Sequence, residues 1–195
     1  MKIAGVILAA GQSRRMGRPK ALLDWRGDTV LGRMTGLLGA VCEPLIVVLG
    51  YHAEDVGAAA GRAIRVLNPN PEQGMLSSLQ CGLRAVPGEA DAVFFTPVDY
   101  PGIQPHTVEA LAAALRASPA PLALPVCGGR RGHPVAIRRA LIEEILALPA
   151  GAQPREAIHR HLDQAVLVEV ADPGILEDID DPESYARLRE AETRG

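Results

Sequence analysis

The feature that most constrains this chain is the run Ile3–Ala10, which carries no polar residue. A strand with one wet face alternates apolar and polar residues. An unbroken apolar run reads instead as a strand covered on both faces, the habit of parallel sheets. At this length it cannot cross a bilayer, which takes about 20 residues. It also lacks the basic flank and cleavage pattern of a leader peptide, so cytoplasmic residence is expected and no membrane partner.

The rest of the chain repeats the theme. Leu45–Leu49, Ile64–Leu67 and Ala92–Thr96 are further strand candidates, with Leu122–Pro125, Pro134–Ile137 and Val166–Val170 as weaker ones. Helical spacing predicts helices over Thr29–Val41, Ala53–Gly61, Met75–Val86, Pro105–Ala117, Arg138–Leu148, Pro154–Leu162 and Pro182–Glu190, with Asp28 capping the first. Alternating strands and helices through the first 120 residues predict an α/β fold. It would be doubly wound, a mainly parallel sheet with helices on both faces. The less regular remainder reads as a hairpin and helices added to one domain spanning 1–195. Ligands of such sheets sit beyond the carboxyl ends of the strands. That rule singles out the loops after Ala10, Leu67 and Thr96.

Aromatic residues are only 3%, so the core must be built from Ala, Leu, Val and Ile. A net charge of −3 gives no sign of a nucleic-acid surface. Cys42, Cys81 and Cys127 are scattered, without metal-binding spacing, and read as buried reduced thiols.

The loop after the first strand carries the strongest chemical signal. Ala9, Ala10 and Gly11 let a ligand approach the backbone, and the N–H groups of such a turn can cradle an anion. Arg14, Arg15, Arg18 and Lys20 follow, with no acid before Asp24. After a buried strand this is a polyphosphate site in physical terms; a solvated basic loop is the plainer alternative. It is neither a P-loop, because Arg18 and Pro19 separate Gly17 from Lys20, nor G-x-G-x-x-G. Only Lys2 and Lys20 among 20 basic residues are lysines. A lysine kept in an arginine-rich chain suggests that a compact point charge is wanted. The loop is expected to face solvent.

The segment from Leu8 to Lys20, L-A-A-G-Q-S-R-R-M-G-R-P-K, resembles the signature of the MobA-like NTP transferases, and most of all their molybdenum cofactor cytidylyltransferases. The A-A-G turn leans towards CTP, where the guanylyltransferase branch usually shows A-G-G. Four further stretches fall in family order. Asn68–Leu79 is similar to N-P-x-x-x-x-G-x-x-x-S, where Gly74 opens a helix and Ser77 and Ser78 fall in its first turns. Those groups could read a base or phosphate, or simply cap the helix. Thr96–Pro101 resembles the D-x-P metal motif, with Pro97-Val98 where many members have Gly ahead of Asp99; Asp99 could also be a turn former. Arg130–Val135 is similar to the G-H-P stretch near the acceptor, where His133 is either an acceptor contact or structural. Leu176–Pro182 resembles the D-I-D-T-P close, where Asp180 is a second metal ligand, Asp180 or Asp181 caps the following helix, or both hold.

The resemblance implies the Rossmann-like fold of the nucleotide-diphospho-sugar transferases and a reaction in which an acceptor phosphate attacks the α-phosphorus of an NTP. Arg15, Lys20 and Asp99 would be catalytic. Leu8, Ala9, Ala10, Gly11, Ser13, Arg14, Gly74 and Ser78 would hold the nucleotide, His133 the acceptor, and Asp99 with Asp180 a Mg²⁺ ion. The implied partners are CTP, a pterin-type phosphate acceptor and a molybdoenzyme client. Both reactants are anions, so charge neutralisation and in-line positioning should dominate. The alternatives are a guanylyltransferase, an NTP transferase with another phosphate acceptor, and a non-catalytic nucleotide- or cofactor-binding maturation protein. A Rossmann-type oxidoreductase is disfavoured by the missing glycine fingerprint.

Overall fold

The computed structural model describes the backbone of residues 1–193 and the side chains of residues 1–190, so the expected 1–195 span ends outside the described residues. In chain order the elements are β1 (Ile3–Ala9), β2 (Asp24–Trp25), β3 (Asp28–Thr29), α1 (Val30–Gly39), β4 (Leu45–Leu49), α2 (Ala53–Ala58), β5 (Ile64–Leu67), α3 (Met75–Arg84), β6 (Ala92–Pro97), α4 (Pro105–Ala117), β7 (Leu122–Cys127), β8 (Arg130–Arg131), β9 (Val135–Arg138), α5 (Arg139–Leu146), α6 (Pro154–His159), β10 (Val166–Glu169) and α7 (Pro182–Thr193).

The main sheet has the order β10-β7-β9-β6-β1-β4-β5, with β8 beside β7. Pairings of β1 with β4 and β6, of β4 with β5, and of β7 with β10 are parallel. Only β9, between β6 and β7, and the short β8 run antiparallel. All seven residues of β1 are buried, as its unbroken apolar run requires. Its side chains alternate between two cores. Ile3, Ile7 and Ala9 pack with residues of α1, α4 and α7; Ala4, Val6 and Leu8 pack with residues of α3, α5 and α6. The sheet is thus covered on both faces, and the fold is α/β and doubly wound.

Two local expectations are corrected. Asp28 does not cap α1. It is drawn into the two-stranded hairpin β2–β3, opposite Trp25, and Thr29 takes the cap, its hydroxyl accepting from Gly32 N–H at 2.9 Å. Of the three thiols only Cys42 is fully buried; Cys81 and Cys127 are half-buried, and none is in a disulfide. Burial pushes the Cys42 thiol up to about 12.

Candidate active site

The carboxyl ends of β1, β5 and β6 open on one cavity of about 490 Å³. From the loop after β1 it is lined by Leu8, Ala9, Ala10, Gly11, Ser13, Arg14, Arg15 and Lys20. Pro71, Gly74, Met75 and Ser78 enter around the start of α3, Pro97, Val98 and Asp99 from the end of β6, and Asp180 from the segment before α7. The three loops that sheet topology singles out therefore converge on one cleft. Arg15, Lys20, Asp99, Asp180 and every residue expected to hold a nucleotide line it; His133 does not.

The loop owes its shape to local chemistry. Ser13 adopts a left-handed conformation (φ 54), and its hydroxyl accepts from the Lys20 N–H at 3.0 Å, closing the loop on itself. A Cβ at Gly11 would meet nothing within 4 Å, so the backbone there lies open to a ligand. Across the cleft, Gly74 turns the chain into α3 with φ 91, a left-handed value that favours glycine. Asn68, buried at the end of β5, donates through its amide to both Ser77 and Ser78 at 2.9 Å. Ser78 is therefore held by the protein as well as lining the cavity.

The charges meet at the centre. The Lys20 ammonium lies 3.0 Å from Asp99 Oδ2 and 3.7 Å from Asp180 Oδ1. Arg15 pairs with the other oxygen of Asp180. The loop faces solvent over most of its length, as expected, but Lys20 turns inward: its side chain is 16% exposed and that of Asp99 19%, because Asp99 draws the ammonium inward. Burial raises the Asp99 carboxyl above its ordinary range; Lys20 opposes the rise and Asp178 adds to it.

The segment bearing Asp180 is fixed to the turn bearing Asp99. Ile179 N–H donates to the Asp99 carbonyl at 2.8 Å. Buried Asp172 accepts from Gln104 N–H, Thr107 hydroxyl and Gly174 N–H at 2.8, 2.6 and 3.0 Å. Arg33 reaches from α1 to the carbonyls of Pro101 and Ile103. None of these supports was legible in the sequence, because each joins segments whose proximity only the fold creates. Asp181 caps α7, accepting from Ser184 N–H at 2.8 Å, which holds its carboxyl below the ordinary range. Asp180 is thereby left to the cleft.

Whether these residues suit a divalent cation can be judged from the donors. Two carboxylates converge on one ammonium, and no group of three or more protein ligands forms among the described residues. That set suits an ion such as magnesium, which commonly takes one or two carboxylates and completes its shell with water and phosphate oxygens.

His133 lines a second cavity of about 480 Å³, together with Phe95, Leu124, Tyr100, Arg130, Arg131 and Arg155. The two cavities share Met75, and the chain passes from Asp99 in one to Tyr100 in the other. The Tyr100 and His133 rings meet at a tilt of 51°, with centroids 4.6 Å apart. His133 Nδ1 is buried without a partner, and burial lowers the imidazole to about 4, so the ring is neutral.

Residues 5–166 match the model of the MobA-like NTP transferase domain. A nicotine blue oxidoreductase from Paenarthrobacter nicotinovorans is 33% identical over 95% of this chain and 96% of its own. A molybdenum cofactor cytidylyltransferase from Escherichia coli is 26% identical, covering 96% of each chain. A probable molybdenum cofactor guanylyltransferase from Mycobacterium avium is 37% identical over 77% of each. Among solved structures, the manganese complex of Rv0371C from Mycobacterium tuberculosis superposes with a TM-score of 0.79 at 26% identity, over 98% of this chain and 100% of that one. A match over most of the chain, together with a cleft of cationic turn and carboxylates beyond the sheet, places this chain in the MobA-like NTP transferase domain family.

Proposed function

We propose that this chain acts in the cytoplasm, as one domain, as a magnesium-dependent nucleotidyltransferase. It transfers CMP from CTP to the terminal phosphate of a molybdopterin-type acceptor and releases pyrophosphate, its product serving a molybdoenzyme client. The observation that carries this reading is the meeting of Lys20, Asp99 and Asp180 within one cleft beside the glycine turn.

In this reading the N–H groups around Gly11 receive the phosphates, and Arg14, Arg15 and Lys20 neutralise charge on the triphosphate. Asp99 and Asp180 would hold the magnesium ion, which supplies charge stabilisation at the reacting phosphate. An ionised acceptor phosphate needs no general base. The neighbouring cavity suits the acceptor. Phe95 and Leu124 offer an apolar floor, Tyr100 and His133 an aromatic wall, and Arg130, Arg131 and Arg155 a basic rim for an anionic tail. The resemblance of the Ala9-Ala10-Gly11 turn to the cytidylyltransferase branch favours CTP over GTP. The guanylyltransferase relative keeps GTP in the test.

The experiment is pyrophosphate release with CTP, GTP, ATP and UTP, with and without a molybdopterin-type acceptor and magnesium. Acceptor-dependent release is expected with CTP foremost. Asp99→Asn should abolish the metal-dependent rate; undiminished metal dependence in that variant would reduce Asp99 to a turn residue. The oxidoreductase name of one relative favours a second reading. Oxidation of an added reduced nicotinamide nucleotide with nicotine blue as the electron acceptor, together with no pyrophosphate release from any NTP, would replace the transferase with it.

A further inference from the structure

Four charged side chains in the cleft neutralise each other in pairs. Lys20 holds Asp99, both largely buried, and also approaches Asp180. Arg15, more exposed, holds the remaining oxygen of Asp180. These are the cations assigned above to the triphosphate and the carboxylates assigned to the metal. While paired in this way, each set blocks the other's ligand. A triphosphate alone meets two carboxylates and can draw Lys20 away only by leaving a buried carboxylate without a counter-ion, a costly state. A divalent cation alone must displace the ammonium already seated on the same oxygens.

The geometry points to a counter-ion exchange: binding of a divalent cation at Asp99 and Asp180 releases Lys20 and Arg15 to the triphosphate, so that each ligand strengthens the other. This inference rests on the transferase reading. Coupling of this kind is reciprocal and commonly amounts to about 5–150-fold in affinity. A metal that merely bridges protein and phosphates also couples the two ligands. Exchange adds a consequence that bridging lacks: removing one member of a pair must improve binding of the ligand which the other member serves, even with the second ligand absent.

Asp180 suits the test because its side chain is 48% exposed and only its backbone N–H meets Ser184. In EDTA, Asp180→Asn should bind inorganic tripolyphosphate, measured by titration calorimetry, at least about 5-fold more tightly than the unaltered chain. Lys20→Gln, without nucleotide, should bind Mn²⁺ more tightly by a similar factor, read by electron paramagnetic resonance. Asp178→Asn is the control. It removes a nearby charge that has no ion pair to Arg15 or Lys20 and should change tripolyphosphate affinity less than Asp180→Asn. The exchange is overturned if Asp180→Asn gains no affinity in EDTA, if Lys20→Gln binds Mn²⁺ no better, or if Asp178→Asn gains as much as Asp180→Asn. If the unaltered chain binds no tripolyphosphate even with Mn²⁺, the transferase reading fails with it. If it binds only with the metal and Asp180→Asn gains nothing, the exchange alone fails.

Discussion

Side-chain charge in this protein is set by burial as much as by residue type. His133 shows the consequence most simply. Its imidazole titrates near 4 in the folded chain, against 6.5 when exposed, because burial disfavours the cation. Between those values the unfolded chain takes up a proton that the folded chain refuses. Stability therefore falls as pH drops from 6.5 towards 4, and this residue contributes no pH dependence above that window. Urea unfolding across that range should give a shallower acid limb for His133→Gln than for the unaltered chain. An unchanged slope would mean that the ring is already charged. The sequence could offer His133 as either contact or structural residue. It could not indicate neutrality, which follows from Tyr100 and the cavity wall around it. Lys20 is the parallel case. Its rarity marked it out, but the carboxylate that draws it inward stands 79 positions away.

At the scale of elements, the central strands were legible because each is a short apolar run whose burial leaves it no other home. The hairpin β2–β3 was not, since two residues per strand carry no periodicity. The reversal of β9 against β7 was legible as a hairpin in the less regular remainder, but its insertion beside β6 left no local mark. The seam joining the Asp99 turn to the Asp180 segment depends on glycine for a reason only the fold reveals. A Cβ on Gly174 would lie 2.2 Å from the Gly102 carbonyl oxygen and 2.3 Å from its carbon, both backbone atoms with nowhere to go. Gly174→Ala should therefore force the two segments apart and cost about 1–3 kcal/mol, as overpacked sites do. It should also weaken Mn²⁺ binding, because Ile179, bonded to the Asp99 carbonyl, belongs to the displaced segment. The denaturation midpoint and a metal titration of the same sample read the two effects. Lost stability with unchanged Mn²⁺ affinity would separate this seam from the site.

For the molecule as a whole, what matters is that two cavities of similar size lie side by side, divided by Met75 and the Asp99–Tyr100 peptide. One is dominated by a cationic turn facing carboxylates, the other by an aromatic pair, an apolar floor and arginines. A transferase needs such a division. Its two anionic substrates must be brought within bonding distance while each is anchored by its own groups. The division also makes the substrates separable in kinetics. Arg130 and Arg131 are exposed on β8, outside the packed core and away from the cleft that holds Lys20. If they grip the anionic tail of the acceptor, each charge-assisted contact is worth about 1.5–3 kcal/mol. Replacing both with alanine should then raise the acceptor KM at least about tenfold, leaving the nucleotide KM and the fold intact. Steady-state kinetics with each substrate varied in turn decides the matter. An equal rise in both KM values would mean that the arginines act through the general field of the protein, and an unchanged acceptor KM would move the acceptor out of this cavity.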